Sequence, residues 1–213
     1  MNPIVNEELV TKLIHTVSKG LSYGLGEPEP GKMCVEAAVC YAYNLPHGDN
    51  PPCVGRNIRE FKIKLNDCRW SSNLARAKGM IKLSIAQLNS IELDQVEFQN
   101  RLVIKFANTL LADVARNNGL IEVEKGLRDT KTLEKLTLYI TQLATKVWFV
   151  YEDIIHNGYY LGRCLNSIHK ELGYHDDPLM QAAQNCLDVL QEMNCEGCNY
   201  LYLLDQINPT YES

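Results

Sequence analysis

Long apolar runs are missing from this sequence. The best stretch, around Lys146 to Ile155, is interrupted by Glu152 and Asp153, well short of the roughly 18 consecutive apolar residues of a membrane span, so no membrane partner is expected. The opening residues MNPIVNEELVTKLIHTV carry acids where a secretory leader carries positive charge, and they hold no apolar core. Export is therefore not expected, and a cytoplasmic setting is. An excess of positive charge is missing too. With 21 Lys and Arg against 26 Asp and Glu, the net charge of -5 argues against a broad nucleic-acid footprint. Period-two alternation beside hairpin turns is scarce, so a sheet is unsupported. GxGxxG, a Walker loop, HExxH and GxSxG are all absent, which removes the commonest nucleotide, zinc-protease and hydrolase signatures.

What is present is enough apolar material for a core. A chain of about 200 residues hides roughly 70% of its unfolded surface, so folding needs no disulfide or metal staple. The charged fraction of 22% beside 46% hydrophobic residues is that of a globular protein, not of a disordered one. Eight cysteines are the unusual count. In a cytoplasmic chain of this size they read as reduced thiols rather than a disulfide framework.

Helical spacing runs from end to end. Asn6 before Glu7 and Glu8 starts a helix carrying Leu9, Leu13, Val17 and Leu21. The Gly- and Pro-rich stretch Tyr23 to Lys32 is a loop, and a second, small-residue helix, MCVEAAVCYAY, begins near Met33 and stops before Pro46. LPHGDNPPCVG is a second loop. Ile58, Phe61 and Leu65 mark a third helix ending at Asn66-Asp67, and Ser71-Ser72-Asn73 caps a fourth with Leu74, Ala77, Ile81, Ile85 and Leu88. A fifth is expected from about Glu92 to Asn118, closed by Gly119. Asp129 or Thr130 opens the next, which runs through Leu133 and Val147 and on toward Trp148, Tyr151 and His156, with a break at Gly158. Leu161 to Leu172, ended by Gly173, and a helix begun by Asp177-Pro178 complete the pattern. The expected fold is all-α: residues 1–213 form a single compact domain of about seven to nine helices, with a sub-domain break allowed near 119–129.

Three groups of residues have chemistry to offer. Cys34 at a helix start, with Lys32 close by, is the best candidate for a low-pKa thiol; His47 is its candidate base and Asp49 the group that would orient it. This makes a cysteine-dependent hydrolase or transferase one alternative. Zinc held by Cys34, His47, Asp49 and Cys53 is another. The lone CxxC of Cys195 and Cys198 is a third place for zinc or redox chemistry, although structural zinc normally takes four ligands and no second CxxC exists. His156, His169 and His175 share no helical face and read as surface or junction residues. Finally, Arg56, Arg59, Lys62, Lys64, Arg69, Arg76, Lys78 and Lys82 form a basic stretch countered only by Glu60 and Asp67. Arg56, Arg59, Lys62, Arg69 and Arg76 are the candidate partner-binding residues of that stretch. Aromatic interleaving is thin, only Phe61 and Trp70, so single-strand stacking gains little support.

Cys34 followed by EAAVCYA, the loop places Pro46, Asp49, Pro51 and Cys53, and then Ile58, Phe61, Asn66 and Asp67 carry a resemblance. The block from Gly31 to Arg76 resembles a family of uncharacterised bacterial, often actinobacterial, and phage proteins. Its pattern is a cysteine opening an Ala-rich helix, a Pro-x-x-Asp-x-Pro-x-Cys loop and an Asn-Asp pair. Relatives often have an aromatic residue where His47 stands and an acid three residues after the first cysteine, whereas Glu36 comes two after Cys34. The resemblance thus implies no required role for His47 or Glu36, and it brings no established activity. The expectation is a non-enzymatic helical interaction module without a cofactor. It would bind a protein partner through the basic stretch, with local nucleic-acid contact open. On the phage side of the resemblance it would be a host-directed inhibitor of a defence or nucleic-acid-processing complex.

Overall fold

Side-chain caps at Asn6 and Ser72 start two helices where the sequence placed them. In the computed structural model, which describes residues 4–148, 150 and 161–207, Asn6 accepts from Leu9 N (2.9 Å) to open α1, Glu7–Val17. Helix α2, Val35–Ala42, follows the loop, and α3 spans Arg56–Asn66. Ser72 accepts from Ala75 N to open α4, Asn73–Ala86. A 3-10 turn, Ser90–Glu92, then leads to Asp94, whose carboxylate caps α5, Gln95–Phe106. That cap, not Glu92, is the true start, because a carboxylate free to turn back on the amides of Val96 and Glu97 satisfies two orphan donors at once. A π-helical turn, Ala107–Leu111, joins α5 to α6, Ala112–Asn117, so the three form one rod, closed by Gly119 at φ 72°.

Helix α7, Ile121–Arg128, was not visible in the sequence. Its core contribution is only Val123 and Leu127, and Gly126 interrupts it. That glycine is required: a Cβ there would lie 2.1 Å from the Tyr139 ring. Thr130 closes α7 by donating to Gly126 O, so α8, Leu133–Ala144, starts from Thr132 and not from Asp129 or Thr130. Its expected extension through Tyr151 to His156, and the break at Gly158, lie outside the described residues. Helices α9, Leu161–Glu171, and α10, Asp177–Glu192, follow, then a 3-10 turn, Glu196–Tyr200, and α11, Tyr202–Ile207.

The all-α expectation of one compact domain holds, with no strand among the described residues. One buried apolar cluster runs from Val5 to Leu204 and includes Val123 and Leu127, so the core passes through 119–129 without interruption. No helix among the described residues is long and apolar enough to cross a membrane. Helix α2 is buried on nearly every side and sits between α1, α3 and α4; α10 packs along α4 and α5.

Candidate functional site

The loop site expected around Cys34 does not assemble. Cys34 is the N-cap of α2, 5% exposed, and its sulfur accepts from Ala37 N at 3.4 Å. Burial pushes the thiol up to about 11, outweighing the helix amides that favour the thiolate. Lys32 lies away from it, paired with Glu29 at 2.9 Å. His47 is exposed, with Nε2 3.1 Å from Gly26 O, and no hydrogen bond joins it to Cys34. Asp49 borders a small pocket with Cys34 but touches the solvent side. Cys53 is fully buried, and burial raises its pKa. The low-pKa thiol of the sequence reading is therefore corrected to a packed, protonated one.

No group of three or more His, Cys, Asp or Glu side chains among the described residues converges as metal ligands. Cys195 donates to Leu88 O at 3.5 Å, and Cys198 reaches toward Ala86 O; burial pushes their thiols up to about 12 and about 11. These two thiols seat the turn Glu196–Tyr200 against the end of α4. Gly197 lies so close there that a Cβ would fall 2.2 Å from Ile85 O. All eight cysteines are free thiols. Of the histidines read as surface or junction residues, His175 is exposed, His156 lies outside the described residues, and His169 is buried at 1% exposure with Nε2 2.9 Å from His175 O. Burial lowers the His169 pKa.

The basic stretch is split by the fold. Lys62 is wholly buried: it stands one turn after Ile58 and three residues before Leu65, on the core side of α3. Its ammonium is 3.4 Å from Glu36 Oε1, itself wholly buried on α2, and Gln87 donates to Glu36 Oε2 across 3.4 Å. Burial lowers the Lys62 pKa and raises that of Glu36, each opposed by the other's charge. Arg76, 5% exposed, bonds to Asn66 O, Leu21 O and Asn73 Oδ1. Lys62 and Arg76 are thus interior groups and leave the partner-binding set. Sequence reasoning missed Glu36 and Gln87, although an acid inside a helix apolar all round signals a buried charge that needs a partner.

No family model, curated protein or solved structure matches this chain. Any functional reading therefore rests on its own residues. Six of the eight basic residues stay at or near the surface: Arg56, Arg59, Lys64, Arg69, Lys78 and Lys82. Arg56 pairs with Glu60 at 2.8 Å, Arg59 bonds to the Asn50 side chain, and Arg69 lies over the Tyr174 ring, 5.7 Å from its centroid. Asp67, the other acid of the stretch, is half-buried and accepts from Gly24 N and Asn66 Nδ2. Folding buries two of the cations, Lys62 and Arg76, and leaves both acids half-buried, so cations still outnumber acids at the surface of the stretch.

Proposed function

We propose that the protein is a non-enzymatic helical interaction module that captures a protein partner through the exposed part of its basic stretch. The observation that supports this is the charge display: six cations stand at or near the surface across residues 56–82 against two half-buried acids, Glu60 and Asp67, in a chain whose net charge is -5. Local positive potential steers an acidic partner toward that face. The phage side of the resemblance makes a host-directed inhibitor of a defence or nucleic-acid-processing complex the form of this function to test first. Tagged protein is used for capture from host extract, in parallel with an Arg59→Glu/Arg69→Glu variant. The expected result is a specific protein partner that the variant loses at matched salt. A variant that captures the same partner equally well would remove the basic stretch as the contact surface.

A further inference from the structure

We infer that Cys195 and Cys198 form a reversible thiol–disulfide site, which a small disulfide of the glutathione class closes into an intramolecular bond; this stands apart from the interaction reading above. Backbone geometry brings the pair together. Cys195 is the N-cap of the 3-10 turn Glu196–Tyr200, and Cys198 is the third residue of that turn. Cys198 N donates to Cys195 O at 3.0 Å. A turn closed in this way holds its end Cα atoms within about 7 Å, the span that a disulfide can bridge. Side chains at the N-cap and the third position lie over the same end of a helical turn, as the capping box shows, and here both are sulfurs.

The two sulfurs also meet one surface. Cys195 Sγ donates to Leu88 O at 3.5 Å and Cys198 Sγ points toward Ala86 O at 4.0 Å, carbonyls two residues apart at the end of α4. Gly197, pressed against Ile85 O, puts no side chain between them. Access then separates their roles. Among the described residues, which hold all eight cysteines, seven thiols are buried and only Cys198 is part-exposed. Cys198 is therefore the entry thiol, and Cys195, 2% exposed, is the resolving one.

Exchange runs in two steps. Cys198 gives its proton to water, and its thiolate attacks one sulfur of oxidised glutathione, expelling the other half as a thiolate that takes up a proton. Cys195 then loses its proton and attacks the Cys198 sulfur of the mixed disulfide, releasing the second glutathione. Two electrons pass from the protein sulfurs to glutathione, and the first step is reversed by excess thiol. Burial, which holds Cys198 up to about 11, slows the entry step because only the thiolate attacks. The bond leaves the turn in its seat: Leu88 O loses an S–H donor and keeps Gly197 N at 3.1 Å. So short a ring removes little chain entropy, and part-exposed disulfides are the labile ones, so the site responds to thiol redox state and is not a staple. It braces the turn from which the Tyr200 hydroxyl donates to Val5 O at 3.0 Å, ahead of α1.

The test treats the full, reduced, folded chain with oxidised glutathione and reads intact mass and a peptide map. The parent is expected to lose two hydrogens, with the bond mapped between Cys195 and Cys198, and dithiothreitol is expected to restore both thiols. Cys195→Ala keeps the entry thiol without its resolving partner and is expected to gain one glutathione at Cys198 instead. Cys198→Ala is expected to gain neither change. Circular dichroism shows whether each variant is folded, and where one is not, the parent's own map carries the test. A glutathione adduct that persists on Cys198 of the parent, a bond mapped to any other pair, or oxidation of Cys198→Ala at the parent's rate overturns the site. A parent that reacts only in urea overturns it too, because the folded turn then shields its thiols from the oxidant.

Discussion

Both ends of α4 meet a buried cation, and they hold it differently. At the start, the Arg76 guanidinium donates to two backbone carbonyls and one side-chain oxygen, each at 2.8 Å, tying together the segment after α1, the end of α3 and the first turn of α4. At the far end, Lys62 is held by a single carboxylate at 3.4 Å, and Lys62 Nζ, Glu36 Oε1 and Gln87 Oε1 make no hydrogen bond. The first arrangement satisfies a charge with dipoles fixed by the backbone. The second balances two charges against each other and depends on both being present. A planar fork of five donors suits the first task, and a point charge on a flexible stem suits the second.

The largest expected effect breaks the far end. Replacing Lys62 or Glu36 alone by Ala leaves an uncompensated charge in a site with no solvent access, and the expected loss is about 3–5 kcal/mol in urea unfolding. Replacing both, as Glu36→Leu with Lys62→Met, removes the charges and their desolvation together. That double variant is expected within about 1 kcal/mol of the parent, or above it. Single variants as mild as the double would show that the two groups do not depend on each other.

How far this contrast was legible in the sequence follows from periodicity. The spacing of Ile58, Phe61 and Leu65 already puts position 62 on the apolar face, and MCVEAAVCYAY, apolar all round, already buries Glu36. Reading the cations as one linear run concealed both. Caps at Asn6 and Ser72, the stop at Gly119 and the all-helical class were legible, because each is fixed by neighbours within one turn. Arg76 was not, since its acceptors lie 10 and 55 residues away on the backbone of other segments. The thiol of Cys34 was misjudged for a related reason: local sequence shows the helix start that lowers a pKa, and only packing shows the burial that raises it.

A middle-sized effect is expected at the start of α4. Arg76→Ala strands the carbonyls of Leu21 and Asn66 in a buried site, at about 1–3 kcal/mol for unmet groups, so a loss of roughly 2–4 kcal/mol is expected in thermal or urea unfolding. Arg76→Lys is expected to recover only part of it, because one ammonium cannot repeat the fork. No second-site change should rescue it, in contrast to the paired far end. Full stability with Lys at this position would reduce Arg76 to a mere positive charge.

The smallest effect per group comes from alkaline pH and separates the two ends by their thiols. Around the far end, burial pushes Cys34 up to about 11 and Cys195 up to about 12, with Cys53 and Cys186 raised as well; beside Arg76 there is Cys68, raised to about 12. An unfolded thiol ionises near about 8.5, so between that value and the folded one the unfolded chain binds fewer protons than the native one. Stability is therefore full below about pH 8.5 and falls as pH rises, by about 1 kcal/mol per pH unit for each such thiol. Lys62 works with the opposite sign: its folded pKa is lowered, so stability held back at lower pH is regained as pH climbs toward the ordinary lysine value. Urea midpoints measured from pH 8 to about 10.5 are expected to decline, and Cys34→Ala/Cys195→Ala should flatten that decline about twice as much as Cys68→Ala. A slope that none of these substitutions changes would mean that thiol burial does not govern alkaline stability at either end of α4.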